Sequence, residues 1–188
     1  MIKRGYVAVA VISLTAGMML STVGAQAMPP WDNNPLFGES EGASQVTGFN
    51  MGIVTAEGSG TFHANHFGNG TYTAATTQNY PRHIESGMEN PMGQCAFVDG
   101  TLELMAANGD VLNVNIDADR SVTCAPADQP PTGAEEGDVY TTTLFGEIAG
   151  GTGRFAEATG FLFSEGTSIV QADGTTVDEA DIFGDIAY

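Results

Sequence analysis

Two histidines on one early strand are the side chains of this sequence best suited to acid–base chemistry. His63 and His66 flank Asn65. Imidazole titrates near neutral pH, so His66 is a candidate general base or ligand donor at the mouth of a pocket. On an ideal strand His63 and Asn65 share one face and His66 points to the other, so both rings line one wall only if a bulge intervenes. The alternative is that His66 is a hydrogen-bonded structural residue that fixes the strand.

Other polar side chains with chemical potential lie on strand-like segments further along the chain. Tyr72, Tyr140 and Tyr188 could present hydroxyl groups to a pocket, although tyrosines on barrel strands more often pack with the hydroxyl end in water. Arg154 could bind an anionic ligand or pair with one of the many carboxylates. The candidate ligand-binding residues are therefore His63, Asn65, His66, Tyr72, Tyr140 and Arg154.

The sequence lacks the residue patterns of several established reactions. It contains no Gly-x-Ser-x-Gly motif and no Ser-His-Asp set with supporting context, which argues against hydrolase chemistry. No metal-ligand cluster has a recognised spacing, and residues 173–181 lack the order of a calcium loop. We therefore expect no cofactor and no metal. The sequence favours a protein without catalytic activity, but it leaves an enzyme open as an alternative.

The charge of the chain is strongly one-sided. Its 188 residues include 23 Asp and Glu against 5 Lys and Arg, a formal net charge of −18. Such a chain repels nucleic-acid phosphates and anionic membrane surfaces, so no nucleic-acid partner is expected. The carboxylates could bind cations, or they could keep an exported protein soluble, for instance in a salty habitat. The lack of a spaced ligand loop favours the second interpretation.

The amino terminus has the pattern of a secretory signal peptide. Lys3 and Arg4 precede an apolar run over residues 6–20, and Ala25-Gln26-Ala27 places small residues at the alternate positions that a signal peptidase reads. The run is shorter than the ~20 residues of a membrane-spanning helix. We expect cleavage after Ala27, a secreted or periplasmic protein, and no membrane insertion afterwards.

The remaining chain predicts one all-β domain. Residues 28–44 carry Pro, Asn and Gly without a period and are predicted to be a flexible lead. Residues 45–188 form the domain, because short extended segments separated by Gly and Asn turns are typical of a sandwich or barrel. The predicted strands are 46–55, 60–67, 71–77, 96–106, 111–116, 139–149, 154–163, 167–171 and 182–188, with loops at 78–93 and 125–138. The dipeptide Asn69-Gly70 predicts a tight turn between the second and third of these strands.

A central hairpin is the clearest element. Asn108-Gly109 predicts its turn, since both central residues of a tight hairpin turn need positive φ. Apolar and polar residues alternate in both arms, which predicts one buried face. Cys95 and Cys124 lie almost equally far from the turn, so the hairpin brings them together at its open end. In an oxidising compartment such a pair is expected to form a disulfide.

The most distinctive run is Gly150-Gly151-Thr152-Gly153-Arg154-Phe155. It lacks the Gly-Lys-Ser/Thr of a P-loop, and too few residues follow for a βαβ unit. Its context predicts a glycine-rich corner between two barrel strands.

Continued to Gly160, this run resembles the corner of bacterial proteins with an allene oxide cyclase-like barrel, and plant dirigent proteins carry a similar stretch. Residues 106–112 are similar to a hairpin of those bacterial proteins. His66-Phe67-Gly68 resembles their His-Leu-Gly segment, and residues 184–188 fit their last strand. The resemblance covers roughly residues 46–188 in order, and it does not extend to the acidic loop before Val139 or to the cysteine pair.

The resemblance implies an eight-stranded antiparallel barrel with an apolar cavity, which either holds one small ligand or is filled by side chains. It also favours the structural role of His66. The expected function is an exported barrel that binds or shelters a small apolar molecule without turnover. One alternative is a cyclase or isomerase that steers a reactive guest by shape, with His66 or a tyrosine assisting. The other is a structural or interaction module with a filled barrel. A homo-oligomer is left open.

Overall fold

The structure is a computed structural model that describes residues 34–86, 95–125 and 134–188. The predicted signal peptide and residues 28–33 of the predicted lead lie outside this range. The described elements are β1 (Asn34–Asn50), β2 (Ile53–Ala64), β3 (Gly68–Asn79), α1 (Tyr80–Glu85), β4 (Cys95–Met105), β5 (Val111–Ile116), β6 (Val122–Cys124), β7 (Val139–Gly151), a 3-10 turn (Gly153–Phe155), β8 (Thr159–Val170) and β9 (Thr175–Ala187).

The strands form a closed antiparallel barrel. Apart from β5 and β6, consecutive strands pair with each other, and β9 pairs with β1 to close the sheet. β5 pairs with the later part of β4, and β6 pairs with the beginning of β4. Both short strands also pair with β7. The two short strands therefore share one place in the wall, and the barrel has eight strand positions with one extra strand. The predicted all-β, eight-stranded antiparallel barrel is confirmed.

Ser121 holds together the break between β5 and β6. This serine is fully buried. Its Oγ lies 2.9 Å from the Phe145 amide nitrogen and 3.1 Å from the Phe145 carbonyl oxygen, and its own carbonyl accepts a 2.9 Å hydrogen bond from the Val98 N–H. The backbone groups that the break would leave unpaired are thus satisfied, as buried amides require.

Large apolar side chains fill one end of the barrel, called the closed end below. Phe155 is 0% exposed; its ring stacks on Phe67 with centroids 4.7 Å apart and meets the edge of Tyr188 at 5.4 Å. The inward residues of the predicted hairpin belong to this core, as its alternating pattern indicates. The buried cluster consists of Leu36, Phe62, Ala64, Phe67, Leu104, Ala106, Leu112, Val114, Ile148, Phe155, Ala158, Leu162, Ile182 and Ile186.

The disulfide between Cys95 and Cys124 is present in the structure. The two residues are register partners on β4 and β6, two positions before Phe97 and two after Val122. The two cysteines pair because β6 takes over from β5 as the partner of β4 beyond Ile116. The predicted partners are therefore correct, but the second arm of the hairpin consists of two strands with a break between them.

The barrel begins earlier than predicted. β1 starts at Asn34, which is paired with Ile186, so residues 34–44 are strand and not a flexible lead, and the predicted start at residue 45 is wrong. Glycine and serine occupy most of the inward positions of β1 after Leu36. Because these residues are not strongly apolar, the sequence shows no alternation of apolar and polar residues there. The predicted strand 46–55 is also wrong, because Met51 and Gly52 form the turn between β1 and β2.

The second turn lies earlier in the chain than Asn69-Gly70 suggests. Those two residues are in β3, and the turn occupies residues 65–67. The Asn65 side chain accepts a 2.7 Å hydrogen bond from the Phe37 N–H and donates one of 2.7 Å to the Pro35 carbonyl. This tie to β1 fixes the turn, and His66 takes the positive φ of 69° that the turn requires.

A short helix interrupts the segment 78–93 that was predicted as loop. The Asn79 side chain caps α1 by accepting a 2.9 Å hydrogen bond from the Arg82 N–H, and Pro81 lies in the first turn where its missing N–H costs nothing. The helix covers the outer face of β4, with His83 and Phe97 rings 5.0 Å apart. None of the helices in the described segments is long and apolar enough to cross a membrane.

Candidate functional site

The end of the barrel opposite the closed end contains a cavity. An outer chamber of about 530 Å³ lies at the mouth, between the ends of β1, β3, β7 and β8. A narrower inner chamber of about 170 Å³ continues toward the closed end. The two are continuous, since both are lined by Ser44, Ala56, Gln78, Thr123, Thr142 and Ser168.

The cavity exists because small and hydroxyl-bearing residues occupy the inward positions of this half of the barrel. Most strands that contribute Leu, Ile or Phe to the closed end contribute Ser, Thr or Ala here, whereas β4 contributes Val98 and Leu102. A barrel of eight strands is filled only when bulky side chains take the inward positions. The Thr123 and Thr142 hydroxyls lie 2.9 Å apart and form one hydrogen bond across the wall.

Tyr72 lies along the inner wall over two glycines. Gly60 and Gly42 follow Tyr72 in register on the next two strands. A Cβ on Gly60 would lie 2.8 Å from Cε1 of Tyr72, and a Cβ on Gly42 would overlap the Tyr72 hydroxyl. The absence of side chains at these two positions lets the ring lie flat and leaves its hydroxyl above Gly42.

Asp178 stands next to that hydroxyl. It is the register partner of Gly42 on β9, and its alternation with Ile182 and Ile186 directs its side chain inward. The Thr176 hydroxyl lies 2.6 Å from Asp178 Oδ1, to which it donates, and 2.6 Å from Ser44 Oγ. Burial, and secondly the negative charge of Asp178, raise the pKa of Tyr72 to about 12. At neutral pH the inner chamber thus holds a protonated Tyr72 phenol.

Asp178 is the only charged side chain at an inward position of the described strands. The three arginines of the described segments lie elsewhere. Arg82 pairs with Asp119, Arg120 lies 4.0 Å from the Phe145 ring centroid on the outer face, and Arg154 lies 3.7 Å from Asp110. The carboxylate in the cavity therefore has no cationic partner among the described residues.

The structure separates the sequence-predicted candidates into two groups. Tyr72 lines the inner chamber and Tyr140 the outer one. Burial, and then the charge of Asp138, raise the pKa of Tyr140. These two tyrosines are the only members of the predicted set that line the cavity in the described chain.

The other predicted residues lie away from the cavity. His63 is on the outer face, with Nδ1 2.7 Å from Asn69 Oδ1. His66 is at the closed end and not at the barrel mouth, with Nε2 3.2 Å from the Pro35 carbonyl and Nδ1 3.4 Å from the Tyr188 hydroxyl. Asn65 forms the turn described above, and Arg154 follows the glycine-rich corner between β7 and β8. Their observed contacts are structural.

The sequence analysis missed Asp178 and the hydroxyl groups around it. Residues 173–181 were considered only as a calcium loop. Counting back by twos from the apolar residues Ile186 and Ile182 would have placed Asp178 on the inward face of a strand. The predicted last strand begins at residue 182 and therefore does not include Asp178.

A second concave region lies on the outside of the barrel. This groove of about 590 Å³ runs across β1 to β4, and Glu39, Glu41, His63 and Met105 contribute to it. All four are outward-facing residues of their strands. The barrel cavity is enclosed by strands on every side, and small-molecule sites favour such enclosure. We therefore take the cavity as the candidate site.

Comparisons with known proteins give no family for this chain. No protein-family model matches it, and neither a curated protein nor a solved structure does. Residues 34–86, 95–125 and 134–188 contain no group of three or more His, Cys, Asp or Glu side chains that could hold a metal ion. The cavity and its lining are therefore the features of the described chain that bear on function.

Proposed function

We propose that this protein binds a small molecule with an apolar body in the open half of its barrel. The observation that carries the proposal is the continuous cavity, whose outer chamber of about 530 Å³ falls within the roughly 300–1,000 Å³ range of small-molecule sites. The closed end is filled by side chains, so the ligand enters from the mouth.

The rim of the mouth supports an apolar ligand. Phe49 and Val46 are 65% and 60% exposed although both line the outer chamber, and Val54, Tyr80 and Val170 lie beside them. Covering such a surface removes apolar area from water, at about 25 cal/mol per Å². An apolar ligand body at the rim would gain from this burial.

The proposal extends to the type of barrel and to export. An allene oxide cyclase-like or dirigent-like barrel in a secreted or periplasmic protein agrees with the closed eight-position sheet and with the Cys95–Cys124 disulfide, which is favoured in oxidising compartments. Binding without turnover is the simplest function of such a barrel. A homo-oligomer stays an open prediction.

A cyclase or isomerase that works by shape control is the second candidate function. It is favoured by the neighbouring Tyr72 phenol and Asp178 carboxylate, which could donate and accept hydrogen bonds to a reactive guest. With a pKa of about 12, Tyr72 would act as a donor and not as a base at neutral pH. His66 has no part in this version, since it lies at the closed end.

A matched pair of variants tests the binding site. Ser168 faces inward and lines both chambers, while the next residue, Ile169, faces outward and is 41% exposed. We expect Nile red to bind the wild-type protein with enhanced fluorescence. Ser168→Phe should weaken the affinity by at least about tenfold, or about 1.4 kcal/mol, because the ring obstructs the passage between the chambers. Ile169→Phe should leave the affinity unchanged.

Fluorescence titration of the disulfide-bonded protein measures all three affinities. The same affinity for Ser168→Phe and wild type, or no binding by the wild type, would refute the proposed site. A loss in both variants would point to a change in the strand and not to a blocked cavity, and circular dichroism of each variant identifies that case.

A further inference from the structure

The charge of the cavity constrains the head group of its ligand. Within the described strands Asp178 is the only charged side chain at an inward position, and a carboxylate has about four lone-pair sites for hydrogen-bond donors. Thr176 occupies one of these sites at 2.6 Å. The basic side chains of the described residues contact groups outside the cavity. The carboxylate is therefore available to a donor that enters with the ligand.

A ligand also changes the solvation of Asp178. In the open barrel this side chain is half-buried and keeps part of its surface in contact with solvent water. A ligand body in the outer chamber would exclude that water, and an ionised carboxylate is costly to desolvate without a partner. A neutral apolar ligand would bear this cost in full. A cationic head group would offset it with a charge-assisted hydrogen bond.

The shapes of the two chambers give the orientation. The inner chamber of about 170 Å³ contains Asp178 and Tyr72, and the outer chamber of about 530 Å³ has the apolar rim. A small head group fits the first and a larger apolar body fits the second. The aromatic ring of Tyr72, lying flat along the wall, adds a surface that attracts cations.

From these observations we infer that the ligand is an amphiphilic amine, bound with its ammonium head at Asp178 and its apolar body at the rim. This inference rests on the proposed function and adds the chemical class of the ligand to it. It replaces a purely apolar guest with one that carries a positive charge.

Isothermal titration calorimetry with two probes of equal chain length tests the inference. n-Octylammonium carries the cationic head, and 1-octanol is its neutral counterpart. In 0.15 M salt we expect the wild-type protein to bind n-octylammonium at least about tenfold more tightly than 1-octanol, as one charge-assisted hydrogen bond allows. Asp178→Asn should remove this preference and leave 1-octanol binding equal or tighter, because the desolvation cost of the carboxylate is gone.

Glu179→Gln provides the matched control, since it removes the same charge from the adjacent, outward-facing residue. We expect it to keep the preference for n-octylammonium. If Glu179→Gln reduced the preference for n-octylammonium as much as Asp178→Asn does, the preference would come from the acidic surface, and the inference would be overturned. Equal affinities of the two probes for the wild type would also overturn it.

The failure of the inference can be told from the failure of the proposed function. If both probes bind equally and Ser168→Phe weakens both, the cavity is a binding site without the inferred selectivity. If neither probe binds the wild-type protein, the proposed function and the inference fail together.

Discussion

Phe155→Ala is expected to lower the free energy of unfolding by about 3–5 kcal/mol, the range for removing a buried aromatic ring. Phe155 is 0% exposed, and it stacks on Phe67 and meets Tyr188. It comes from the 3-10 turn between β7 and β8 and enters the closed end from outside the sheet. Its removal leaves a cavity that the strands, fixed by their ladders, cannot collapse to fill.

Phe49→Ala is the matched control for this variant. Phe49 lies at the mouth and is 65% exposed, so its truncation should change the stability by no more than about 0.5 kcal/mol. Urea denaturation followed by far-ultraviolet circular dichroism gives both values. Equal losses for the two variants would contradict the assignment of the closed end as the stabilising core.

Removal of the disulfide is expected to have an effect of similar size. Cys95 and Cys124 are 29 residues apart in sequence. A cross-link over such a loop restricts the unfolded chain, and the chain-entropy relation gives about 3–4 kcal/mol for its loss. The double variant Cys95→Ala/Cys124→Ala should therefore unfold at clearly lower urea concentration than the oxidised wild type.

The reduced wild-type protein is the control for that double variant. With dithiothreitol it should unfold at the same urea concentration as the double variant, while the stability of the double variant should not respond to the reductant. A difference of less than about 1 kcal/mol between oxidised and reduced wild type would show that the bond does not restrain the unfolded chain as the loop-closure account requires.

The fold was largely predictable because its local signals agree. The hairpin around Asn108-Gly109 shows strict alternation, and its arms became β4 and β5 with Leu104 and Leu112 directly paired. The cysteine pair and the glycine-rich corner were also located from sequence. Each of these features depends on residues close in the chain or on the chemistry of one residue type.

The beginning of the barrel was not predictable from such signals. β1 is stabilised by β9, for example where Asn34 pairs with Ile186 at the far end of the chain. Its inward Gly38 and Gly42 give no apolar period. The turn at residues 65–67 likewise depends on hydrogen bonds from Asn65 to β1, which a dipeptide rule centred on Asn69 could not anticipate.

The candidate site was the least predictable part. Only closure of the sheet brings Tyr72 of β3, Gly42 of β1 and Asp178 of β9 into one register. Nothing in the sequence marks Asp178 as different from the other acidic residues until its strand is defined. The histidines are candidates because imidazole titrates near neutral pH. The turn between β2 and β3 nevertheless places His63 on the outer face and His66 at the closed end.

The most direct test of a ligand in the open half of the barrel is to locate one by crystallography. Crystals grown with 8-bromooctylammonium should give an anomalous bromine peak in the outer chamber near Phe49 and Val54, with the chain leading inward toward Asp178. A peak only on the outer surface, for instance in the groove beside Met105, would contradict the account. So would a cavity filled by side chains in the crystal.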